Sequence, residues 1–191
     1  ASPKADIAVV RPSPITPSPE KDAGVQLAER QMEEARSAME DAKRALKGGD
    51  ARAGAQEAAA QDLARQGRIA EAAQSYRQAA SLYRSAREDR QAVLDLLHRY
   101  EAAIAAKDLN VLKTIWPTLP EKAIRDGFSA VRSQRVTLEP GDVRFEGDQA
   151  AVTCQRHDEI LTLNGTRVEN RTAMSLSLQR RAGAWTIASI N

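Results

Sequence analysis

The stretch YEAAIAAKDLNVLKTIWPTLP, residues Tyr100 to Pro120, decides how the chain is organised. An amphipathic helix ends within it, Asp108 is placed to cap a second, short helix, and Pro117 ends that helix. Pro120 then stands at the first turn of another short helix, which closes near Gly127. The stretch therefore predicts a boundary at which a helical region passes into a different architecture.

Downstream of this boundary, apolar residues alternate with polar ones, as is typical of strands with one buried face. The alternating sets are Val136 and Leu138, Val143 and Phe145, Ala150, Val152 and Cys154, Met174, Leu176 and Leu178, and Trp185 and Ile187. Asn164-Gly165 is a strong hairpin signal. An antiparallel sheet with one apolar face must cover that face, and the three helices before it are the available cover. The sequence predicts an α+β fold for this half.

Upstream of the boundary, residues 23–47 carry a heptad seam of apolar side chains. Its members are Val25, Ala28, Met32, Ala35, Met39, Ala42 and Leu46. Gly48-Gly49 ends this helix, and Asp50 can cap the next one. We expect the two helices to form an antiparallel pair, and a coiled coil between two chains is the alternative.

The following stretch, GAQEAAAQDLARQGRIAEAAQSYRQAASLYRSA, resembles one tetratricopeptide-type helix pair. Gly67 stands at its turn, followed by Ala72, Tyr76 and Ala79. Helical arrays of this kind need about three repeats to be stable, and only one is visible. We interpret the region as a helical hairpin that acts as a spacer, and not as a peptide-binding superhelix.

The first 22 residues hold five of the eight prolines and are interpreted as a polyproline-II-like linker, with a docked proline-rich peptide as the alternative. The apolar run ADIAVV is too short for a signal peptide, and no run approaches the ~18 apolar residues of a membrane span. The predicted division is a linker at 1–22, a helical hairpin at 23–87 and a sheet domain at 88–191.

Charge and composition exclude several classes of function. The 28 basic and 26 acidic residues are interspersed and give a net charge of +2, without the basic face of a nucleic-acid binder. Cys154 is the single cysteine, so neither a disulfide framework nor a sulfur-based metal site is expected. Because His98 and His157 are the only histidines, we expect no metal. The sequence has no glycine-rich phosphate loop, and we expect no cofactor.

Three stretches of the C-terminal half resemble the nuclear-transport-factor-2-like group, which includes SnoaL-like cyclases and ketosteroid isomerases. They are LLHRYEAAIAAKDLNVLKTIWP, VTLEPGDVRFEGDQAAVTC and MSLSLQRRAGAWTIASI. The resemblance implies a cone-shaped, bent antiparallel sheet closed by three helices, usually with a cavity between them. Members of the group include isomerases, cyclases, dehydratases, non-catalytic binding domains and dimerisation modules, so the resemblance alone does not assign an activity.

The candidate chemistry lies on the strand that contains Cys154. Continuing its apolar face by twos gives Arg156 and Asp158. A ketosteroid-isomerase-type reaction needs a carboxylate base and a hydroxyl donor, for which Asp158 and Tyr100 are the candidates. We prefer the alternative in which Arg156 and Asp158 form an exposed, structural ion pair at a strand end, and no residue is assigned as catalytic.

Tyr100, Trp116 and Phe128 are the candidate wall of a ligand pocket, or else they fill the cone. Arg156, if it points inward, favours a small anionic ligand. The preferred function is a non-catalytic module that binds such a ligand or a protein partner, as the C-terminal part of a larger bacterial signalling or envelope protein. The alternatives are a small-molecule isomerase or cyclase, and an oligomerisation unit that forms a homodimer through the N-terminal seam. The compartment stays open between cytoplasm and periplasm, with a tether preceding residue 1 as one option.

Overall fold

The computed structural model describes residues 19–191, with side chains from residue 23 onward. Between residues 19 and 106 the described chain forms three helices, α1 (Pro19–Leu46), α2 (Ala51–Arg65) and α3 (Ile69–Ala106). Helix α1 begins inside the predicted linker, and the other residues of that linker lie outside the described part. Gly67 adopts a positive φ of 74° in the turn between α2 and α3. The helix pair is therefore present, whereas its likeness to a tetratricopeptide repeat remains a prediction.

Helix α1 packs mainly against α3, so the expected antiparallel pair of α1 with α2 is wrong. Lys43 lies over the Tyr83 ring at 6.0 Å from its centroid. Burial raises the pKa of the Tyr76 phenol, and Arg36 is close enough for its charge to oppose that rise. Because both pairs advance together along the chain, α1 and α3 run parallel. The seam residues Ala35, Met39 and Leu46 are buried within the chain, which removes them from any coiled coil with a partner.

Strand β1 (Gly48–Asp50) explains this arrangement, because it separates α1 from α2 and pairs in parallel with β2. Gly48 has a φ of 151°, and a Cβ there would lie 2.2 Å from the carbonyl oxygen of Val143. Asp50 accepts a 2.7 Å hydrogen bond from the Ala53 N–H, so the predicted N-cap of α2 is confirmed. The connection between two helices thereby becomes an edge of the sheet.

The expected boundary at the end of α3 is present. Lys107 ends α3 in the left-handed conformation, and the Asp108 carboxylate accepts two 3.0 Å hydrogen bonds that cap α4 (Leu109–Ile115). Helix α5 (Glu121–Ala130) continues past Gly127, where the sequence predicted its end. The Lys107 ammonium donates to the carbonyl oxygens of Phe128 and Val131, at 2.7 and 2.6 Å, and so joins the end of α3 to the end of α5.

The sheet contains β2 (Val131–Glu146), β3 (Gln149–Thr162), β4 (Arg167–Arg181) and β5 (Ala184–Ile190) in the order β1-β2-β3-β4-β5. Strands β2 to β5 form an antiparallel meander, with register shifts in β2 and between Ser177 and Leu178 that bend the sheet. The predicted apolar alternation is confirmed, since every member of the alternating sets is buried on one face. We call this the inner face and the opposite one the outer face.

One hydrophobic core runs from Ala35 in α1 to Ile187 in β5. Helix α3 contributes to it along its whole length and passes without a break through residues 87 and 88, the predicted division. The α+β class, with helices preceding a bent sheet, is confirmed. Among residues 19–191, no helix is both long enough and apolar enough to cross a membrane.

Candidate functional site

Arg156 and Asp158 project from β3 onto the inner face, as their two-residue spacing from Cys154 predicts. The guanidinium donates two hydrogen bonds of 2.7 Å, from Nε to Oδ2 and from Nη2 to Oδ1 of Asp158. The Asp158 side chain is 9% exposed and that of Arg156 is 24% exposed. The expected ion pair is present, but its expected exposure is wrong, because the inner face is covered at this point.

Tyr100 reaches the same pair from α3. Its hydroxyl accepts a 3.3 Å hydrogen bond from Nη1 of Arg156, and the residue is only 2% exposed. Burial raises the pKa of the Tyr100 phenol, and the neighbouring Arg156 charge opposes this with a smaller effect. The group is therefore a neutral hydroxyl at ordinary pH, with its own proton available for donation.

Gln134 is a fourth member of this cluster that the sequence analysis missed. Its Nε2 donates to Oδ1 of Asp158 at 3.1 Å. It lies two and four residues before Val136 and Leu138, so the period of the apolar face would have placed it inward. The polar cluster, defined here as Tyr100, Gln134, Arg156 and Asp158, thus joins α3, β2 and β3.

Asp158 stabilises the protonated form of the Arg156 guanidinium. Burial by itself would lower the pKa of the guanidinium, but hydrogen bonding to Asp158 raises that pKa above its ordinary value. Three N–H groups of Arg156 are engaged by Asp158 and Tyr100. Because a guanidinium has five N–H donors, two remain for a ligand.

The cluster has an open side toward β4. Asn170 and Thr172 are the cross-strand neighbours of Asp158 and Arg156, and both are exposed. Asn170 Nδ2 donates to Thr172 Oγ1 at 3.2 Å. These two residues, which the sequence analysis did not select, are accessible polar groups beside the cluster on the inner face.

A cavity of about 400 Å³ adjoins the cluster through Gln134. Its lining combines Ala105 of α3 and the inner-face residues Ile160 and Val168 with charged outer-face residues, namely Arg135, Glu159, Arg167 and Glu169. A larger open groove of about 920 Å³ runs past β1 and is bordered by outer-face residues such as Ala151 and Ser177. We take the smaller cavity as the candidate site, because it alone of these two touches the polar cluster.

Trp116 and Phe128 are buried in the core, at 9% and 8% exposure, and neither joins the hydrogen bonds of the polar cluster. Helix α4, which Trp116 caps, contacts β5, whereas α5 with Phe128 contacts β2. The Nε1 of Trp116 is buried without a hydrogen-bond partner among the described residues. Their predicted contact with a ligand remains a prediction.

The histidines lie apart from the cluster. His98 is exposed, and Nε2 of His157 lies 4.0 Å from the Glu169 carboxylate. Within residues 19–191, no three His, Cys, Asp or Glu side chains are grouped as metal ligands.

Solved structures share the architecture of the C-terminal part. The Kfla4162 protein of Kribbella flavida matches 56% of this chain and 90% of its own at 16% identity, with a TM-score of 0.50. A nuclear-transport-factor-2-like superfamily protein of Salmonella enterica matches 53% of this chain and 87% of its own at 15% identity and a TM-score of 0.47. A protein of the same family from Streptomyces avermitilis matches 55% of this chain and 94% of its own at 15% identity and a TM-score of 0.48.

Neither a protein-family model nor a curated protein matches the chain. The fold assignment therefore depends on the architecture itself, in which three helices precede a bent antiparallel meander and cover its inner face. This is the arrangement that the sequence resemblance implies, and at 16% identity the Kribbella flavida protein supports the fold alone. From α3 to β5, the chain has the nuclear-transport-factor-2-like fold.

Proposed function

We propose that the chain is a small-molecule-binding module whose ligand carries a carboxylate or carbonyl oxygen. The observation that carries this proposal is the geometry of the Arg156 guanidinium on the inner face of the sheet. Two hydrogen bonds to Asp158 fix its orientation, and two of its N–H donors remain free for a ligand. A cationic donor fixed in one orientation recognises planar oxygen ligands well, because little conformational freedom is lost on binding.

The surroundings of Arg156 support an oxygen ligand. The Tyr100 hydroxyl can donate its proton to the same oxygen, since it only accepts from Arg156. Ile160 and Val168 supply apolar contacts in the adjoining cavity of about 400 Å³. A cavity of this size is within the range of small-ligand pockets.

Benzoate, with neutral benzamide for comparison, is a suitable first probe of this site. We expect benzoate to bind in isothermal titration calorimetry, and Arg156→Gln to weaken that binding by about tenfold or more, since a charge-assisted contact is lost. Arg144→Gln is the matched control, because it removes the same charge from an exposed position on β2 that does not line this cavity. Equal affinity of Arg156→Gln and the wild type, or equal affinity for benzoate and benzamide, would contradict the proposal.

A second candidate function is a small-molecule isomerase or cyclase, favoured by one observation. Asp158 and the Tyr100 hydroxyl both contact Arg156, which brings a carboxylate and a hydroxyl donor to one place. Asp158 would take a proton from the carbon beside a ligand carbonyl, and Tyr100 would donate a hydrogen bond to the enolate oxygen. Both Asp158 oxygens accept from Arg156, so catalysis requires at least one of these bonds to open.

Turnover distinguishes the two candidates. A catalytic role predicts isomerisation of a β,γ-unsaturated ketone that Asp158→Asn and Tyr100→Phe both abolish, while Tyr100→Phe still binds benzoate. The binding-module proposal predicts no turnover by the wild type. Turnover that is lost in Asp158→Asn would replace the binding module with the enzyme.

A further inference from the structure

Strand β4 has an unpaired edge along half of its length. β5 pairs with β4 from Arg181 back to Leu176, and Asn191 then exchanges two 2.9 Å backbone hydrogen bonds with Ser175. Among the described residues, no strand lies beside residues 167–173 on that side, although β3 pairs with them on the other. We call residues 167–173 the free edge.

The free edge presents a regular row of backbone donors and acceptors. The carbonyl oxygen of Thr166 accepts from β3, whereas the N–H and C=O of Ser175 point to the opposite side, toward β5. Backbone direction alternates along a strand, and the β3–β4 register contains no shift. The N–H and C=O groups of Arg167, Glu169, Arg171 and Ala173 therefore face outward from the sheet.

We propose that a second copy of this chain pairs with the free edge, β4 against β4 in antiparallel orientation, centred on Asn170. This register places Glu169 of each copy directly opposite Arg171 of the other. It also sets Val168 opposite Thr172, and β-branched cross-strand pairs of this kind favour a sheet. Charged side chains on an exposed strand edge usually prevent it from pairing with another chain. Here the charges favour pairing, because the antiparallel register sets a negative side chain of each copy opposite a positive one of the other.

The charge distribution within one chain supports the same register. Glu169 lies directly opposite Glu159 of β3, an unfavourable pairing of like charges. Its side chain is 76% exposed, and among the described residues His157 is the one basic group within 4.0 Å of its carboxylate. Arg171 of the second copy would lie on the open side of Glu169 and offset the repulsion from Glu159.

This pairing would also extend the candidate site. Val168 lines the cavity beside the polar cluster, and Asn170 and Thr172 border its open side. The inner-face residues of the second copy would continue that wall beyond β4. The dimer is nevertheless independent of ligand binding, and its test requires no ligand.

The test is the oligomeric state of charge-reversed variants of the full chain, measured by sedimentation equilibrium over a wide range of concentration. We expect the wild type to dimerise. Glu169→Arg and Arg171→Glu should each raise the dissociation constant by about tenfold or more, because each places like charges opposite one another twice. The double variant Glu169→Arg/Arg171→Glu should dimerise again, and an equimolar mixture of the two single variants should form a heterodimer.

Arg181→Glu is the matched control, since it reverses a charge on the part of β4 that β5 already covers. Circular dichroism of each variant verifies that the sheet itself is intact. A wild type that stays monomeric at millimolar concentration would overturn the proposal. A dimer that both single reversals leave unchanged would overturn it as well, because another surface would then hold the two copies together.

Discussion

Arg156 and Asp158 place opposite charges on a sheet face whose buried residues are mostly apolar, and the desolvation of these charges opposes folding. Removing one partner leaves the other charge largely buried and without its partner. Replacing both with apolar residues removes that cost, and such replacements are often neutral or stabilising. An ion pair retained at such a cost is better explained by function than by stability.

We therefore predict a strongly non-additive double-mutant cycle. Asp158→Leu and Arg156→Met should each lower the free energy of unfolding by about 2–3 kcal/mol, less than a fully buried pair because Arg156 is partly exposed. The double variant should lie within about 1 kcal/mol of the wild type. Urea denaturation measures all four proteins.

The control is the pair Arg135→Met and Glu159→Leu, which replaces exposed residues that face each other across β2 and β3 on the outer face. Each of these changes should alter stability by about 0.5 kcal/mol or less. Additive losses at Arg156 and Asp158 would mean that the pair does not act as a unit.

Cys154 gives a second residue-scale prediction, which concerns pH. Burial raises the pKa of its thiol from 9.0 to about 11, and the nearby Glu101 charge adds to the effect. The native state then keeps a proton that the unfolded state loses. Stability contributed by this group is complete below pH 9 and is lost as the pH rises to 11, by about 2–3 kcal/mol.

Urea denaturation at pH 8, 9, 10 and 11 checks this dependence. Cys154→Val fills a similar volume without a thiol, so its stability should fall less than that of the wild type between pH 9 and 11. Burial also raises the pKa of Tyr100, which adds an alkaline loss shared by both proteins. Parallel curves for the two proteins would rule out the Cys154 contribution.

At the scale of elements, the helices of the second half and the four long strands follow from their apolar periods, whereas β1 does not. Gly48-Gly49-Asp50 has no alternating pattern and no β-branched residue, and its residues favour turns. It forms a strand because β2 presents an edge beside it. Tertiary context of this kind is not encoded within three residues.

The role of β1 can be measured at Gly48. Gly48→Ala should destabilise the protein by about 2–4 kcal/mol, since the residue has a φ of 151° and its Cβ would meet the Val143 carbonyl oxygen. Gly54→Ala is the contrasting change. It lies inside α2 with no atom within 4 Å of the new Cβ, and it should stabilise the protein by about 0.5–1 kcal/mol. If both substitutions have equal effects in urea denaturation, the close approach of β1 to β2 is not significant for stability.

At the scale of the whole molecule, the inner face could be predicted but the contacts across it could not. The alternating apolar residues of β3 and β4 stand at even-numbered positions, so the hairpin must pair even positions with even ones, as the observed pairing of Ala150 with Leu178 does. A hairpin whose loop consisted of Asn164 and Gly165 alone would instead have paired even-numbered residues of β3 with odd-numbered residues of β4. The pattern thus predicts the face of Arg156, Asp158 and Gln134. The contact between Gln134 and Asp158 depends in addition on the β2–β3 register, which shifts at two bulges.

The packing of α1 on α3 was beyond sequence reasoning for a similar reason. A heptad seam indicates that a helix packs against an apolar surface, but it does not identify the element that provides this surface. The inserted strand β1 carries α1 away from α2, and the alanine-rich face of α3 receives it. The same long helix then covers the sheet, so the two halves share a core that a division at residue 87 would cut.

We predict that the full chain unfolds in one cooperative transition and that the fragment 88–191 is much less stable. Asp89 joins α3 to the sheet, since it pairs with Arg180 and accepts from Nε1 of Trp185 at 3.3 Å. In that fragment Asp89 would lie at the frayed start of a helix, and β1 would be missing from the edge of β2. The fragment 66–191, which keeps all of α3, should recover part of the loss. Coincident urea transitions in circular dichroism and tryptophan fluorescence measure cooperativity, and a fragment 88–191 that unfolds at the same urea concentration as the full chain would show that the C-terminal domain is independent.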